Sequence, residues 1–167
     1  MQRLPWVVDD AIPFLREVVQ PGCRVLEFGG GGSTLFFRDL GAEVVTVESN
    51  PKWAKPLQKE GADVRVFNPV TQATGLPRQV DLLFVDNRDA AGPRPKVVQK
   101  FHKLVKPGGL FVLDNANRPK YASIYYLLRH WPMTLFRQAG KPISHGQPGG
   151  RPDLLKTWET AAWRRPT

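Results

Sequence analysis

The chain has 167 residues, of which 41% are hydrophobic; this suits one domain with a single core, so we expect residues 1–167 to form one unit. No uncharged apolar run reaches the roughly 18 residues of a transmembrane helix, and the N-terminus lacks the apolar stretch of a signal peptide. Cys23 is the single cysteine, which excludes an internal disulfide and a multi-cysteine zinc site. We therefore expect a protein of the reducing cytoplasm with no membrane partner.

The hydrophobic pattern predicts helices and strands in alternation, which is typical of a parallel sheet with right-handed crossovers. Strands are predicted at 24–28, 44–48, 63–67, 81–86, 109–114, 133–138 and 156–164. Helices are predicted at 7–20, 33–40, 51–60, 95–106 and 120–131, with a weak helix at 68–80. Proline lacks the amide hydrogen that a helix interior needs, so Pro56 is expected to kink or end its helix. The sequence contains no internal repeat.

Residues 24–34 are the most informative stretch and read Arg-Val-Leu-Glu-Phe-Gly-Gly-Gly-Gly-Ser-Thr. A short apolar strand enters four consecutive glycines and leaves through Ser33 and Thr34 into an amphipathic helix. Glycines let the backbone turn sharply and approach a ligand closely, and a helix start attracts carboxylates and phosphates. The order of strand, glycine turn and helix predicts a nucleotide-type ligand. The alternative is a glycine turn that only closes the strand–helix unit.

The spacing of the glycines narrows the possible classes of ligand. The dinucleotide pattern G-x-G-x-x-G needs a third small residue, where this chain has Thr34 or Leu35, and no Gly-Lys-Ser/Thr follows to make a P-loop. The pattern E-x-G-x-G does fit, and it resembles the first motif of class I S-adenosylmethionine-dependent methyltransferases. The resemblance implies S-adenosylmethionine as cofactor, bound by a set of residues that opens with Glu27, Gly29, Gly30, Gly31, Ser33 and Thr34.

A second acid supports a cofactor with a ribose. Val44–Val47 is a β-branched run, typical of a buried strand, and Glu48 stands at its carboxyl end. Glu48 follows the glycine turn by about 20 residues, the separation at which an acid binds ribose hydroxyls. Asn50 is expected to cap the next helix, whose first residue is Pro51. The same cofactor site is expected to include Ser49, Trp53 against the adenine, Asn68 and Asp86.

Two further strands also end in acids. Asp86 follows the apolar run 81–85, and the pair Asp114 and Asn115 follows the run 109–113. Ligands of open α/β sheets bind outside the carboxyl ends of the strands, so we expect these side chains to meet Glu27 and Glu48 at one edge. Helix capping is the alternative role for each acid taken alone.

Asp86, Asp114 and Asn115 resemble the metal-binding trio of catechol-type O-methyltransferases. The resemblance implies a Mg²⁺ ion that binds two substrate hydroxyls and lowers their pKa, with these three residues as metal ligands and catalytic groups. That family usually carries a lysine three residues after its first aspartate, and Asp89 stands there in this chain. The implied fold is α/β: a Rossmann-like, seven-stranded, mostly parallel sheet with helices on both faces and an antiparallel last strand.

A second resemblance spans nearly the whole chain. Small, poorly characterised bacterial methyltransferases share a Leu-Pro-Trp start, the glycine motif, an Asp-Asn pair with a later Arg and Tyr, and a Trp-Glu-Thr near the end. The corresponding residues here, outside the motifs already given, are Leu4-Pro5-Trp6, Arg118, Tyr121 and Trp158-Glu159-Thr160. This resemblance implies the cofactor and carries little information on the substrate.

The formal net charge is +9, which raises nucleic acid as a partner. A solvated basic surface is the favoured alternative, because the Asn/Asp-Pro-Pro-aromatic turn of base amino-methylation is missing and Cys23 lies far from the position of a nucleophilic cysteine. His145, in the glycine-rich segment 144–150, is either a base on a loop over the active edge or an ordinary loop residue. The sequence thus predicts O-methylation of a small molecule. Methylation of RNA at ribose 2′-oxygen or of a protein, and a non-catalytic cofactor-binding subunit, are the alternatives.

Overall fold

A single twisted sheet organises the residues that the computed structural model describes, which are 2–140 and 157–167. Within them the sheet has seven strands in the order β3-β2-β1-β4-β5-β7-β6. The strands, in chain order from β1 to β7, are Arg24–Phe28, Glu43–Glu48, Asp63–Val66, Val80–Val85, Val105–Asp114, Met133–Ala139 and Thr157–Arg164. The pairs β3–β2, β2–β1, β1–β4 and β4–β5 are parallel, and β7 runs antiparallel to both β5 and β6. The predicted sheet, with its antiparallel last strand, is confirmed.

The helices lie where the alternation predicts them, although most are shorter. From α1 to α5 they are Ala11–Val18, Gly32–Asp39, Pro51–Lys59, Arg94–Phe101 and Ala122–Leu127. The first begins at Ala11 rather than at residue 7, which puts Pro13 in the first turn, where a missing amide hydrogen costs no helical bond. None of these helices is both long and apolar enough to cross a membrane.

Two predictions were wrong, namely an early end of the third helix at Pro56 and a weak helix at 68–80. The third helix continues past Pro56 to Lys59, because Ala54 and Leu57 are buried on either side of the proline and hold that helix against α2 and β3. The segment predicted as a weak helix at 68–80 contains one short 3₁₀ turn, Val70–Gln72.

The helix predicted at 95–106 also ends early. Beyond Phe101 there is a short 3₁₀ turn, and β5 begins at Val105 rather than at the predicted residue 109, so Lys106-Pro107-Gly108-Gly109, which has the composition of a turn, belongs to the strand. Its backbone finds partners at the far end of the chain: the Gly108 amide donates to Arg165 at 2.9 Å, and the Arg165 amide donates to Gly109 at 2.8 Å. Long-range pairing therefore overrides the local turn signal.

Helices cover both faces of the sheet. Alternate residues of β1 divide between two apolar clusters, with Leu26 and Phe28 in one and Val25 in the other. The first cluster joins the strands to α4 and α5, and the second joins them to α1 and α2. The parallel strands run in the same direction, so their carboxyl ends lie together at one end of the sheet. The glycine turn lies at this end, which the helices on the two faces leave open.

The largest buried side chain among the described residues is Trp163 of β7, which stacks on Phe111 at a centroid distance of 5.4 Å and meets Tyr125 edge-on at 5.1 Å. We expect Trp163→Ala to lower the free energy of unfolding by about 3–5 kcal/mol, because it removes an indole from packed surroundings. Urea unfolding measures this loss. Tyr126→Ala, at a side chain that is 70% exposed, is the control and should change it by less than about 0.5 kcal/mol. Equal losses in the two variants would contradict the described packing.

Candidate active site

A cavity of about 940 Å³ opens at the carboxyl ends of the parallel strands. Its walls come from the N-terminal segment, the glycine turn, the end of β2, the start of α3 and the loop after β4. The lining residues are Gln2, Trp6, Gly29, Gly30, Gly31, Gly32, Ser33, Glu48, Asn50, Trp53, Pro56, Asp86, Asn87, Arg88, Asp89, Ala90, Arg94 and Arg118. The site therefore lies where the strand order predicts a ligand site.

Two glycines of the turn have different structural roles. Gly29 has a φ of +96°, and a Cβ there would lie 2.6 Å from the backbone nitrogen of Asn87, so only glycine lets the loop after β4 approach β1. At Gly31 a Cβ would meet no atom within 4 Å. The first glycine is needed for packing, whereas the backbone of the second faces open space in the cavity wall.

The N-terminal segment closes one side of the same turn. A Cβ on Gly32 would collide with the carbonyl oxygens of Gln2 and Leu4, which shows how tightly this segment covers the start of α2. The guanidinium of Arg3 pairs with Asp39 at 2.7 Å and also with Glu60. The segment is thereby fixed over the glycine turn, and it brings Gln2 and Trp6 into the cavity wall.

Glu27 lies beneath the glycine turn and does not line the cavity. Its carboxylate is fully buried and accepts hydrogen bonds from the hydroxyls of Ser33, Thr34 and Thr46, the last at 2.7 Å. Burial raises the pKa of Glu27 to about 7, and the three hydroxyl donors oppose that rise. Glu27 and Thr34 therefore support the turn from below; of these hydroxyl-bearing partners only Ser33 also reaches the cavity wall.

Glu48 ends β2 at the cavity wall. Its Oε1 accepts from the amides of Ser49 at 2.7 Å and Asn50 at 2.8 Å, and its Oε2 accepts from the amide of Gly30 at 2.9 Å. A carboxylate oxygen offers about two acceptor directions, so Oε2 retains capacity for a ligand hydroxyl. The carboxylate thus connects the glycine turn to the start of α3.

The other residues expected at the cofactor divide into two groups. Trp53, 39% exposed, lines the cavity near Asn50, whose side chain caps α3 as predicted by accepting from the Lys52 amide at 3.0 Å. Ser49 contributes to holding Glu48 and does not line the cavity. Asn68 is exposed after β3 and does not line it either.

A buried guanidinium ties together the ends of β4 and β5. Arg94, 3% exposed, donates to Asp86 Oδ1 at 2.6 Å, to the Asn87 carbonyl at 2.8 Å and to the Asp114 carbonyl at 2.6 Å. Burial raises the pKa of Asp86, and the charge of Arg94 opposes this. Asp86 lines the cavity, so a carboxylate with a cationic partner stands at its wall.

Asp114 ends β5 and Asn115 follows it, and neither residue lines the cavity. Asp114 accepts from Thr160 at 2.9 Å and from the Asn115 amide group at 2.6 Å, while Asn115 Oδ1 accepts from Arg118 at 2.6 Å. Burial and the charge of Asp86 raise the pKa of Asp114 well above its ordinary value. The three residues expected to hold Mg²⁺ therefore do not form one site: hydroxyl, amide and guanidinium donors engage Asp114 and Asn115 outside the cavity wall, and the guanidinium of Arg94 already supplies the positive charge beside Asp86.

A polar network borders the cavity beyond Asp86. Asp89 accepts from Tyr121 Oη at 2.8 Å and pairs with Lys120 at 2.6 Å, and these donors hold its pKa below the ordinary value despite partial burial. Burial raises the pKa of Tyr121 to about 12, so its phenol remains a donor. Arg118 lies 3.7 Å from Asp89. Because Asp89 is paired with Lys120 and Tyr121 and its pKa is lowered, it is poorly suited to act as a base.

Several site residues were missed by the sequence analysis. Arg94 looks like a surface residue at the start of a helix, and the only signal was that two strand-end acids need a buried counter-charge. Asn87 holds its loop by donating to the Gly92 carbonyl at 2.7 Å, while its Oδ1, buried in the cavity wall, has no donor among the described residues. His145 and the segment 144–150 lie outside the described residues, as does the first residue of the strand predicted at 156–164.

Comparison with solved structures identifies the fold. A SAM-dependent O-methyltransferase from Thermotoga maritima matches with a TM-score of 0.64 and 19% identity over 96% of this chain, which spans 66% of that protein. A tRNA methyltransferase from Aquifex aeolicus matches with a TM-score of 0.64 and 18% identity. The match covers 100% of this chain and 73% of the Aquifex aeolicus chain. A 1,6-didemethyltoxoflavin-N1-methyltransferase from Burkholderia thailandensis, solved with S-adenosylhomocysteine, matches with a TM-score of 0.60 and 21% identity over 95% of this chain and 78% of its own.

No family model matches the sequence, and no curated protein matches it. The structural matches agree with one another in class, and the chain has the fold of class I SAM-dependent methyltransferases.

Glu27 makes stability depend on pH. The folded protein keeps the carboxyl proton up to about pH 7, whereas the unfolded chain releases it near its ordinary pKa of 4.5. The contribution of Glu27 to the free energy of unfolding therefore falls as pH rises through this window, by about 3 kcal/mol in total, and is constant above it. We expect Glu27→Gln to flatten the decline in urea-unfolding free energy between these pH values. Glu43→Gln, at an exposed position of β2, is the control. Parallel pH profiles for wild type and Glu27→Gln would show that Glu27 titrates normally.

Proposed function

We propose that this chain is a SAM-dependent methyltransferase that transfers the methyl group to an oxygen of a small molecule. The observation that carries the proposal is the cavity at the strand ends, into which the glycine turn, Glu48 and Asp86 all open. The fold matches support the class, and their substrates differ, as the names of the three proteins show. The acceptor is therefore argued from the site itself.

The residues of the first half of the cavity fit S-adenosylmethionine. The open backbone at Gly31, next to the start of α2, is suited to the methionine carboxylate, because a helix start offers unpaired amide donors. Glu48 Oε2 is placed to accept from a ribose hydroxyl, and the indole of Trp53 offers a flat apolar surface to the adenine. Glu27 and Thr34 act indirectly, by supporting the turn.

The second half of the cavity would hold the acceptor beside Asp86. When bound, the cofactor supplies an electrophilic sulfonium methyl. The acceptor oxygen forms the new bond to carbon, the electrons of the carbon–sulfur bond return to sulfur, and the acceptor proton leaves to a base. Asp86 Oδ2 is the candidate to orient the hydroxyl and take that proton, since Arg94 engages Oδ1. Most of the rate gain would come from holding the reactants in line.

A metal is not part of the proposed mechanism. Asp114 and Asn115, the other members of the expected trio, bind Thr160 and Arg118 and stand outside the cavity wall. Arg94 supplies the positive charge beside Asp86 instead. The role proposed for Asp114 and Asn115 is to hold the β5 end in position.

Methylation of RNA is the second candidate, because the tRNA methyltransferase matches this chain as well as the O-methyltransferase does. One cluster of cations does not support it. Lys103, Lys106 and Arg165 gather at the amino end of β5, where Lys106 pairs with Asp81 and Arg165 donates to the Lys103 carbonyl. That end of the sheet lies opposite the cavity, so these cations are poorly placed to guide a nucleic acid to it.

Calorimetric titration with S-adenosylhomocysteine tests the cofactor half. We expect saturable binding to the wild type, and a dissociation constant at least about tenfold higher in Gly31→Ala, because a Cβ there reduces the open space without a clash in the protein. Glu48→Ala should weaken binding further, since it removes both the ribose acceptor and the link between the turn and α3. Thermal unfolding of each variant shows whether it is folded. A wild type that binds no S-adenosylhomocysteine would refute the proposal.

The absence of a metal requirement has its own test. We expect millimolar Mg²⁺ to give no saturable heat with the S-adenosylhomocysteine complex, because Arg94 already pairs with Asp86 and the protein's own donors engage Asp114 and Asn115 outside the cavity wall. Arg94→Met removes the guanidinium that pairs with Asp86. Comparing the Mg²⁺ titration of this variant with that of the wild type shows whether the guanidinium keeps Mg²⁺ from Asp86. Saturable Mg²⁺ binding to the wild type that Asp86→Asn abolishes would contradict this part of the account.

A further inference from the structure

We propose that the methyl acceptor is a small anionic molecule, with a carboxylate or phosphate group bound by Arg88 and Arg118. This inference rests on the proposed function, because it names the class of substrate for the same cavity. Both arginines line that cavity on the side of Asp86. The argument turns on which of the charged groups there are already engaged.

The two carboxylates of this half of the cavity have their own partners. Asp86 is held by the buried guanidinium of Arg94, which spends its remaining donors on backbone carbonyls. Asp89 takes Lys120 and the hydroxyl of Tyr121. Both carboxylates already face cationic partners, so the charge on this side of the cavity does not favour a cationic acceptor, and Arg94 has little capacity to bind an anionic one.

Among the described residues that line the cavity, Arg88 is a cation with no anionic partner. It lies on the loop between β4 and α4, its side chain is exposed, and it makes no hydrogen bond or ion pair through its guanidinium within the described part of the chain. Its backbone is fixed all the same, since its carbonyl accepts from Asn87 at 3.1 Å and from the Ala91 amide at 3.0 Å. The loop therefore holds a positive charge in the cavity wall.

Arg118 is only partly engaged. One terminal nitrogen donates to Asn115 Oδ1 at 2.6 Å, and the other lies 3.4 Å from Tyr121 Oη and 3.7 Å from Asp89. A guanidinium has five donors, and the Arg118 side chain is 44% exposed, so donors remain for a ligand. Because this ion pair with Asp89 is long and exposed to solvent, it is weak, and most of the charge of Arg118 remains available to a ligand.

Each guanidinium presents a planar fork of donors that matches a carboxylate or phosphate, and both arginines line the same cavity. Arg118 also borders a second, smaller cavity of about 330 Å³, lined by Ala116, Pro119, Ala122 and Tyr125 together with Asn117 and Glu159, whose carboxylate pairs with Arg137. An acceptor whose ring or hydrocarbon part rests there can present its anionic group to Arg118. The geometry thus favours an apolar or aromatic acid over a neutral or cationic acceptor.

Calorimetric titrations of the S-adenosylhomocysteine complex with benzoate, phenyl phosphate and benzamide test the proposal. Benzamide has nearly the shape of benzoate without its charge. We expect benzoate or phenyl phosphate to bind saturably, benzamide to bind at least about tenfold more weakly, and both Arg88→Met and Arg118→Met to weaken the anion by a similar factor. Lys103→Met, which loses the same charge at the opposite end of the sheet, should leave anion binding unchanged.

Three results would overturn the proposal. One is that neither anion binds saturably; another is that benzamide equals benzoate; the third is that Lys103→Met weakens the anion as much as the two arginine variants do. Binding of an oligoribonucleotide that both arginine variants weaken, and with which benzoate does not compete, would assign the anion to nucleic acid and also overturn the small-molecule acceptor.

The same titrations on the ligand-free protein separate this inference from the proposed function. If benzoate binds through the two arginines while S-adenosylhomocysteine binds nowhere, the methyltransferase proposal fails and the anion site stands. If S-adenosylhomocysteine binds and no anion does, the reverse holds.

Discussion

The buried guanidinium of Arg94 is the interaction on which the acceptor side of the cavity depends. It joins the carbonyls that follow β4 and β5 and pairs with Asp86 at 2.6 Å. Burial raises the pKa of Asp86 even with Arg94 beside it, and burial together with the charge of Asp86 raises that of Asp114, so an ionised Asp86 would be costlier still without this cation. Breaking such a buried pair leaves an uncompensated charge, which is costly. Arg94 therefore allows an ionised acid to stand beside the acceptor without a metal.

On the cofactor side of the cavity, two acids have different roles: one supports the glycine turn and the other lines the cavity. Glu27 and Glu48 both belong to strands and both precede helices, yet only Glu48 reaches the cavity. The carboxylate of Glu27 turns to the face covered by α2, where hydroxyls of Thr34 and Thr46 receive it. Glu48 stands at the end of its strand and binds backbone amides of the glycine turn and of α3. The turn is thus held from below by one acid and from the side by the other.

Much of this arrangement could be predicted from the sequence, because the strong signals are local. The β-branched run before Glu48, the four glycines, and Asn50 before Pro51 each specify a strand end, a turn or a cap with nearest-neighbour chemistry. The parallel sheet and the place of the cavity at its strand ends follow from the alternation of helices and strands, and the antiparallel last strand was implied by the family resemblance.

What could not be predicted depends on partners that are distant along the chain. The segment 106–109 has the composition of a turn, and it is part of a strand only because Arg165 pairs with it. The side to which Glu27 points is decided by how α2 packs, and Asp114 is engaged by Thr160 of the last strand. Arg94 gives no local sign of burial, so a trio of metal ligands was a reasonable expectation from Asp86, Asp114 and Asn115. In the folded protein, tertiary contacts with Arg94, Arg118 and Thr160 engage those three residues in hydrogen bonds within the chain.

A crystal structure of the S-adenosylhomocysteine complex tests the central claim most directly, which is that the cavity at the strand ends is a cofactor site. The account predicts the ribose hydroxyls within hydrogen-bonding distance of Glu48 Oε2, the amino-acid part against the backbone at Gly31, and the sulfur directed toward Asp86. A ligand bound outside this cavity, or bound within it without contact to Glu48, would contradict the account.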